Sequence, residues 1–131
     1  MGEPAWIEID AVLIAHARQL AEHGGQAGIR DRGLLESALS RPRNAWAYVS
    51  PKPDAQALAA AYAFGLARNH PFLDGNKRIA AVVCETYLIS QGVALTADDE
   101  AWYDAVIALS SGETTEEVFA DWLRSHTAAV D

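Results

Sequence analysis

Residues 54–68 read DAQALAAAYAFGLAR, from Asp54 to Arg68, and almost every position between the two ends is apolar or small. A helix that is apolar around most of its circumference must be covered on most sides, so this run predicts the central helix of a helical bundle. The helix is expected to stop at Asn69-His70-Pro71, because a proline pushes the residue before it out of the α region. Downstream, a second central helix is expected from near Gly75-Asn76, through Ile79, Val82, Val83, Tyr87 and Leu88, to Gly92. Two further helices fit at 98–110 and 115–126, the last opened by a capping box in which Thr114 caps and Glu117 reaches back. Upstream, Pro42, Pro51 and Pro53 surround Trp46 and Tyr48, which reads as a loop or small hairpin with exposed aromatics. Before it, a short helix after Asp31 places Leu34, Leu35, Ala38 and Leu39 on one face, and Pro42 is expected to close it. A first helix runs from Asp10, as N-cap, through Val12, Leu13, Ala17, Leu20 and Ala21 to the stop signal Gly24-Gly25. No period-2 run of strand length competes. The expected fold class is therefore all-α, a compact bundle of about six helices in one domain spanning 1–131, with a short flap loop.

Composition agrees with this and narrows the function. The chain has 131 residues, half of them hydrophobic, with 26 alanines, the residue that favours helix most. A formal charge of −8 excludes a general nucleic-acid coat, which binds by neutralising phosphates with Lys and Arg. One cysteine, Cys84, excludes an intrachain disulfide framework and a multi-cysteine zinc site, and points to a reducing compartment. No apolar stretch approaches the roughly 18 residues that a bilayer span requires, and no basic leader precedes an apolar run near Met1, so a cytoplasmic chain is expected. The charge is also unevenly placed. Eight of the ten basic residues fall in 30–78, against four acids, while 79–131 holds Arg124 against ten acids. Such a pattern suits a site for a compact anion set in a repelling surface, although a basic face that is merely solvated satisfies the charge pattern equally well.

The chemistry concentrates in His70-Pro71-Phe72-Leu73-Asp74-Gly75-Asn76-Lys77-Arg78, whose second half opens a helix. Free backbone N–H groups and the positive end of the helix dipole meet there, a ready anion site. Gly75 allows close approach of the main chain, and Lys77 and Arg78 add two cations. A phosphate is the expected anion. Asp74 would be the hard oxygen ligand for Mg²⁺, which takes one or two carboxylates and fills its shell with waters and phosphate oxygens. Histidine is the residue type whose ordinary pKa lies nearest neutrality, which makes His70 the candidate general base, with one ring nitrogen accepting a hydroxyl proton and the other held by a neighbour. Phe72 is expected to anchor the loop in the core. Each residue also has an ordinary role open to it. His70 could be a turn residue, Asp74-Gly75 a turn, and Lys77-Arg78 a solvated pair. Cations at the positive end of a dipole are nevertheless unfavourable, and a bound anion would account for them.

These nine residues resemble, without gaps, the signature His-Pro-Phe-x-Asp/Glu-Gly-Asn-Gly/Lys-Arg of the Fic/Doc family. The likeness extends over Gly24-Gly25, Gly28-Ile29-Arg30-Asp31, Gly33-Leu34-Leu35-Glu36-Ser37-Ala38 and Arg41-Pro42, over Arg68-Asn69 and over the Gly112-Glu113 turn, all similar to the death-on-curing (Doc) branch of toxin–antitoxin toxins. In the adenylyl-transferring Fic branch the position of Lys77 is glycine. The resemblance to Doc implies instead a protein kinase that uses ATP and Mg²⁺, transfers the γ-phosphate to a threonine of elongation factor Tu and halts translation. It also implies that His70 deprotonates the target hydroxyl and Asp74 holds Mg²⁺, that Asn76, Lys77 and Arg78 bind phosphates with Gly75 giving backbone access, and that Arg68 assists. A Walker loop is absent.

The resemblance further implies a flap over 43–53, so that Trp46 and Tyr48 border the substrate groove or else pack on the bundle. The inhibitory Ser/Thr-x-x-x-Glu-Gly/Asn helix of many Fic proteins finds no match, since Thr96 to Glu100 is followed by Ala101. Control is then expected from a Phd-type antitoxin whose disordered segment folds onto the toxin, with the acidic 79–131 surface facing a basic partner. AMP transfer and a non-catalytic role in binding the antitoxin and tuning repression of their operon remain the alternatives, with no direct nucleic-acid or membrane contact expected. His16, His23 and His126 are expected on the surface and Cys84 in the core, and Glu85 either faces solvent or braces Arg78.

Overall fold

The computed structural model describes residues 2–130; Met1 and Asp131, the two ends of the expected domain, lie outside the described residues. Its elements are α1 (Ile9–His23), α2 (Arg32–Tyr48), α3 (Ala55–Asn69), α4 (Asn76–Ser90), β1 (Val93–Leu95), α5 (Asp99–Ser111), α6 (Glu116–Ser125) and β2 (Thr127–Ala129). The protein is mostly helical, with six helices and a small two-stranded sheet. The apolar run at 54–68 becomes α3, which borders α2, α4, α5 and α6. Leu58, Ala59, Ala60, Ala61, Tyr62, Ala63, Leu66 and Ala67 are all buried on it. The small side chains let the neighbouring helices approach closely, and larger residues fill the gaps between them: Leu35 from α2, Ile79 and Tyr87 from α4, Leu109 from α5 and Phe119 from α6.

Helix starts follow local chemistry. Asp31, Asp54, Asp98 and Thr115 each accept from a backbone N–H three residues on, at 2.8–3.1 Å. The cap of α6 is thus Thr115, bonded to Val118, and the expected Thr114–Glu117 capping box is displaced by one residue. Thr114 Oγ1 is instead buried without a partner. On α1 the N-cap is Glu8, with no side-chain bond, and Asp10 sits in the first turn.

Two expectations are corrected. Pro42 does not close α2, which continues to Tyr48 with Pro42 buried inside it. A proline within a helix deprives the carbonyl four residues back, here Ala38, of its donor. The helix nevertheless continues through a tight contact: Ala38 is buried, and Gly65 of α3 lies so close that a Cβ on it would come within 2.9 Å of Ala38 Cα and 3.1 Å of its carbonyl oxygen. The flap thereby shrinks to the few residues between Tyr48 and α3. Trp46 packs against the core and Tyr48 is 84% exposed. The second correction is the sheet. β1 and β2 pair antiparallel, Val93 with Ala129 and Leu95 with Thr127, in strands of three residues, too short to show an alternating pattern.

Candidate anion and active-site cleft at the start of α4

Segment 70–75 turns the chain from the end of α3 to the start of α4. His70 is the C-cap of α3 and adopts the left-handed conformation, φ 50° and ψ 56°, which is unusual for a residue with a side chain. A neighbouring loop holds it there. Arg30 donates from Nε to the His70 carbonyl (2.6 Å) and from Nη2 to the Asn69 carbonyl (2.7 Å), satisfying carbonyls that the helix end leaves free. The backbone of the same loop pairs with the turn: Arg30 and Asp31 N–H donate to the Pro71 carbonyl, and Leu73 N–H to Gly28. Phe72 is buried, as expected, and anchors the turn.

Asp74 lies on the outer side of the turn. Its Oδ1 accepts from Gly75 N–H (2.8 Å) and its Oδ2 from Gln26 N–H (3.1 Å). Each carboxylate oxygen retains a lone pair after these bonds. Helix α4 then begins on Gly75, φ 79°, with no side chain capping it. The N–H groups of Asn76, Lys77 and Arg78 meet no protein acceptor among the described residues. Lys77 and Arg78 are exposed, and no described carboxylate lies within ion-pair distance of either. Two cations without a described counter-charge on the positive end of a helix, beside open N–H groups, have the chemistry to hold an anion, and this corner is the candidate anion site.

A cleft of about 320 Å³ brings together His70, Leu73, Asp74, Gly75, Asn76, Lys77 and Arg78, and adds Tyr103 from α5. Asn76 enters differently from expectation. Its side chain is 91% buried in the turn, with Oδ1 accepting from Phe72 N–H (2.9 Å) and Nδ2 donating to the Phe72 carbonyl (3.0 Å). Only its backbone N–H faces the anion site. Arg68 does not line the cleft. One turn after Phe64 on α3, it lies over that ring (5.4 Å) and borders a separate depression with Arg41, Gly112 and Thr115. The expected neighbour holding the second ring nitrogen of His70 is not found among the described residues, and Glu85 forms no ion pair with Arg78.

Three contributors escaped the sequence reading. Tyr103, 58% exposed, is brought in from α5 by tertiary packing, and no local pattern marks it. Arg30 serves through backbone carbonyls 39 and 40 positions away. His16, expected on the surface, is 95% buried and bonds the Asp74 carbonyl. Its spacing from Val12 and Leu20, four residues each way on the buried stripe of α1, was the available signal. Of the other two, His23 is exposed and His126 is half-buried, stacked on Trp122. Cys84 is buried, and burial pushes its thiol pKa up.

The residues fit a magnesium–phosphate group. Among the described residues no three metal-binding side chains cluster, so a cage made of protein alone is not available. A single exposed carboxylate with spare lone pairs, beside an anion site, suits an ion that completes its shell with waters and phosphate oxygens. No helix among the described residues is long and apolar enough to cross a membrane.

Comparison with known proteins places the chain in a family. The model of the Fic/DOC family matches residues 6–88, which includes α1 to α4 up to Leu88 and the whole turn. The chain is also similar to Toxin Doc of Mycolicibacterium smegmatis (strain ATCC 700084 / mc(2)155), with 44% identity over 75 residues. That match spans 57% of this chain and 58% of the relative's own length. The family match covers more than half of the chain and contains every residue of the turn, and on that ground the chain belongs to the Fic/DOC family.

Proposed function

We propose that this chain is a Doc-type toxin, a phosphotransferase that moves the γ-phosphoryl group of ATP to a protein hydroxyl, namely a threonine of elongation factor Tu, and so inhibits translation. The observation that carries this reading is Lys77, an unpaired cation on the open first turn of α4, in one cleft with His70 and Asp74. A glycine there, as the resemblance to adenylyl-transferring Fic proteins would have it, leaves room for main chain to wrap the inner phosphates. Lysine fills that room with bulk and charge and favours transfer of the terminal phosphate. The similarity to a protein named Toxin Doc supports the same branch.

In this reading the N–H groups of Asn76, Lys77 and Arg78 and the two side-chain cations bind the phosphates, and Asp74 holds Mg²⁺. The ion, when bound, neutralises charge on the phosphate oxygens. His70, neutral, accepts the proton of the target hydroxyl as that oxygen bonds to the γ-phosphorus and the bond to the β–γ bridging oxygen breaks, leaving ADP. Most of the barrier lowering comes from holding these groups in place and from charge neutralisation. Tyr103 supplies the aromatic face of the cleft, suited to stacking a nucleobase. Activity is restrained by a Phd-type antitoxin in the cytoplasm, its basic segment facing the acidic surface of 79–131, and 1–131 acts as one domain.

The deciding experiment incubates the purified chain with elongation factor Tu, Mg²⁺ and ATP labelled at the γ or the α position. Transfer of the γ label alone, lost in His70→Ala, supports the proposal. Transfer of the α label shows AMP transfer instead. No transfer of either label, with His70→Ala as toxic in cells as the wild type, leaves a non-catalytic antitoxin-binding protein.

A further inference from the structure

His16 takes no part in the chemistry proposed above, yet it is the buried histidine of α1 and touches the turn twice. Its ring stacks on Phe72, with centroids 3.8 Å apart and planes within 12°. Its Nε2 lies 2.8 Å from the carbonyl oxygen of Asp74. A carbonyl can only accept, so this nitrogen carries the hydrogen. The ring also packs directly beneath the next residue, since a Cβ on Gly75 would sit 3.5 Å from Nε2. The acceptors of Asp74 are thereby fixed from three parts of the chain: the carbonyl by α1, Oδ2 by Gln26 of the loop after α1, and Oδ1 by Gly75 at the head of α4.

We infer that His16 is a positioning residue of this corner: its Nε2–H locks the Asp74–Gly75 peptide plane, and with it the direction of the Asp74 carboxylate and of the N–H groups that open α4. The need for such a lock follows from Gly75. A peptide followed by glycine rotates at little steric cost, because glycine accepts φ of either sign. Rotation of this one would swing the Asp74 carbonyl toward the anion site and turn the Gly75 N–H away from the Asp74 carboxylate. An oxygen dipole would then face the phosphates. Among the described residues His16 holds this peptide by its carbonyl, and the bond from Gly75 N–H to Asp74 Oδ1 holds the same plane by its other edge, so that loss of the His16 bond leaves only the residue's own side chain to fix it. A filler of the core would need no polar atom there, and a buried imidazole without a partner is costly.

The inference rests on the nucleotide reading for its functional consequence, and the test separates the two. His16→Phe keeps an aromatic ring on Phe72 and removes the donor; His16→Gln restores an amide donor without the ring. The full chain is titrated with ATP in the presence of Mg²⁺ by calorimetry, and the amide signals of Gly75 to Arg78 are followed by nitrogen–proton NMR. Expected for His16→Phe are a cooperative melt, displaced signals at 75–78, and affinity for Mg–ATP reduced roughly 10- to 100-fold, as for other residues that orient a metal-binding carboxylate. Partial recovery is expected in His16→Gln. The inference is overturned if His16→Phe binds Mg–ATP within twofold of wild type with those signals unmoved. Should His16→Phe fail to fold, the wild-type histidine spectrum decides: an Nε2–H protected from exchange supports the lock, and an Nδ1–H tautomer refutes it. A wild type that binds no Mg–ATP counts against the nucleotide reading alone, and the signals at 75–78 then decide the role of His16, displaced in its favour and unmoved against it.

Discussion

Asn76 and Phe72 close a ring of two hydrogen bonds, the Phe72 N–H donating to Asn76 Oδ1 and Asn76 Nδ2 donating back to the Phe72 carbonyl. The first residue of α4 thus uses its side chain to tie down the residue that anchors the turn in the core. Asn76→Asp keeps the shape and one bond but sets an oxygen against the Phe72 carbonyl in a buried place. The expected cost is about 1–3 kcal/mol at neutral pH, because a buried acceptor loses its donor. Burial against the carbonyl raises the folded pKa of the new carboxyl, so the deficit should shrink as pH falls and be smallest below about pH 4, where the protonated carboxyl has an O–H to donate. Chemical denaturation of both proteins at the two pH values measures it; equal stabilities at neutral pH would show that the ring contributes nothing.

The second prediction concerns the contact of α2 and α3. Glycine to alanine inside a helix ordinarily stabilises by about 1 kcal/mol. At Gly65 the new Cβ would lie 2.9 Å from Ala38 Cα, against backbone that cannot move aside without shifting a helix. Gly65→Ala should therefore destabilise, by roughly 1–3 kcal/mol as overpacking does. A raised melting temperature would show that α2 and α3 are less tightly apposed.

If the proposed function holds, Lys77→Gly should lower the proposed phosphoryl transfer at least about tenfold, the scale of losing one charge-assisted contact to the transferring group. Steady-state rates with γ-labelled ATP report it, and the α label shows whether AMP transfer has appeared. A rate equal to wild type would remove Lys77 from the reaction.

Asp54 caps α3 through Ala57 and receives Arg124 from α6 on both carboxylate oxygens, at 2.8 and 3.0 Å. The Arg124 hydrogen bonds hold its carboxyl below the usual value of 3.8. A carboxyl with a depressed folded pKa stabilises above its unfolded pKa, and that stabilisation disappears as pH falls through the folded value. Asp54→Asn retains the cap and gives up the ion pair. It should cost under about 1 kcal/mol at pH 7, given the exposure of the pair, and nothing near pH 2. Thermal melts across this range would reveal a constant difference if the ion pair were irrelevant.

Cys84 is fully buried, with its thiol pKa raised by burial. Thiol reagents attack the thiolate, so labelling of the native chain at neutral pH should proceed only as fast as the core opens. Rapid labelling without denaturant would contradict the packing of α4.

The helices were largely legible because their signals are local. The apolar run 54–68 and the stop at Pro71 each act within a few residues, whereas the expected caps Asp10 and Thr114 miss the observed Glu8 and Thr115 by two residues and one. The grouping of the turn's polar residues was legible for the same reason, since His70, Asp74, Lys77 and Arg78 lie close enough in sequence for one corner to hold them. What escaped depends on partners distant in sequence. Pro42 reads as a terminator until Gly65 and Ala38 are seen to pack. Arg68, two residues before the motif, reads as an assisting cation until it is seen over Phe64 and outside the cleft. The three-residue strands have no signal until they meet.

The turn between α3 and α4 is fastened along its whole length: Arg30 at its entry, the Gly28–Arg30 backbone at its middle, Gln26 and His16 at its exit. A residue gained or lost between His70 and Asn76 would leave the entry in place and put the fastenings beyond the change out of step. A change that keeps these fastenings is thereby restricted to exchanging side chains on a frame of fixed length, and Lys77, exposed and outside every one of them, is the position most open to such an exchange.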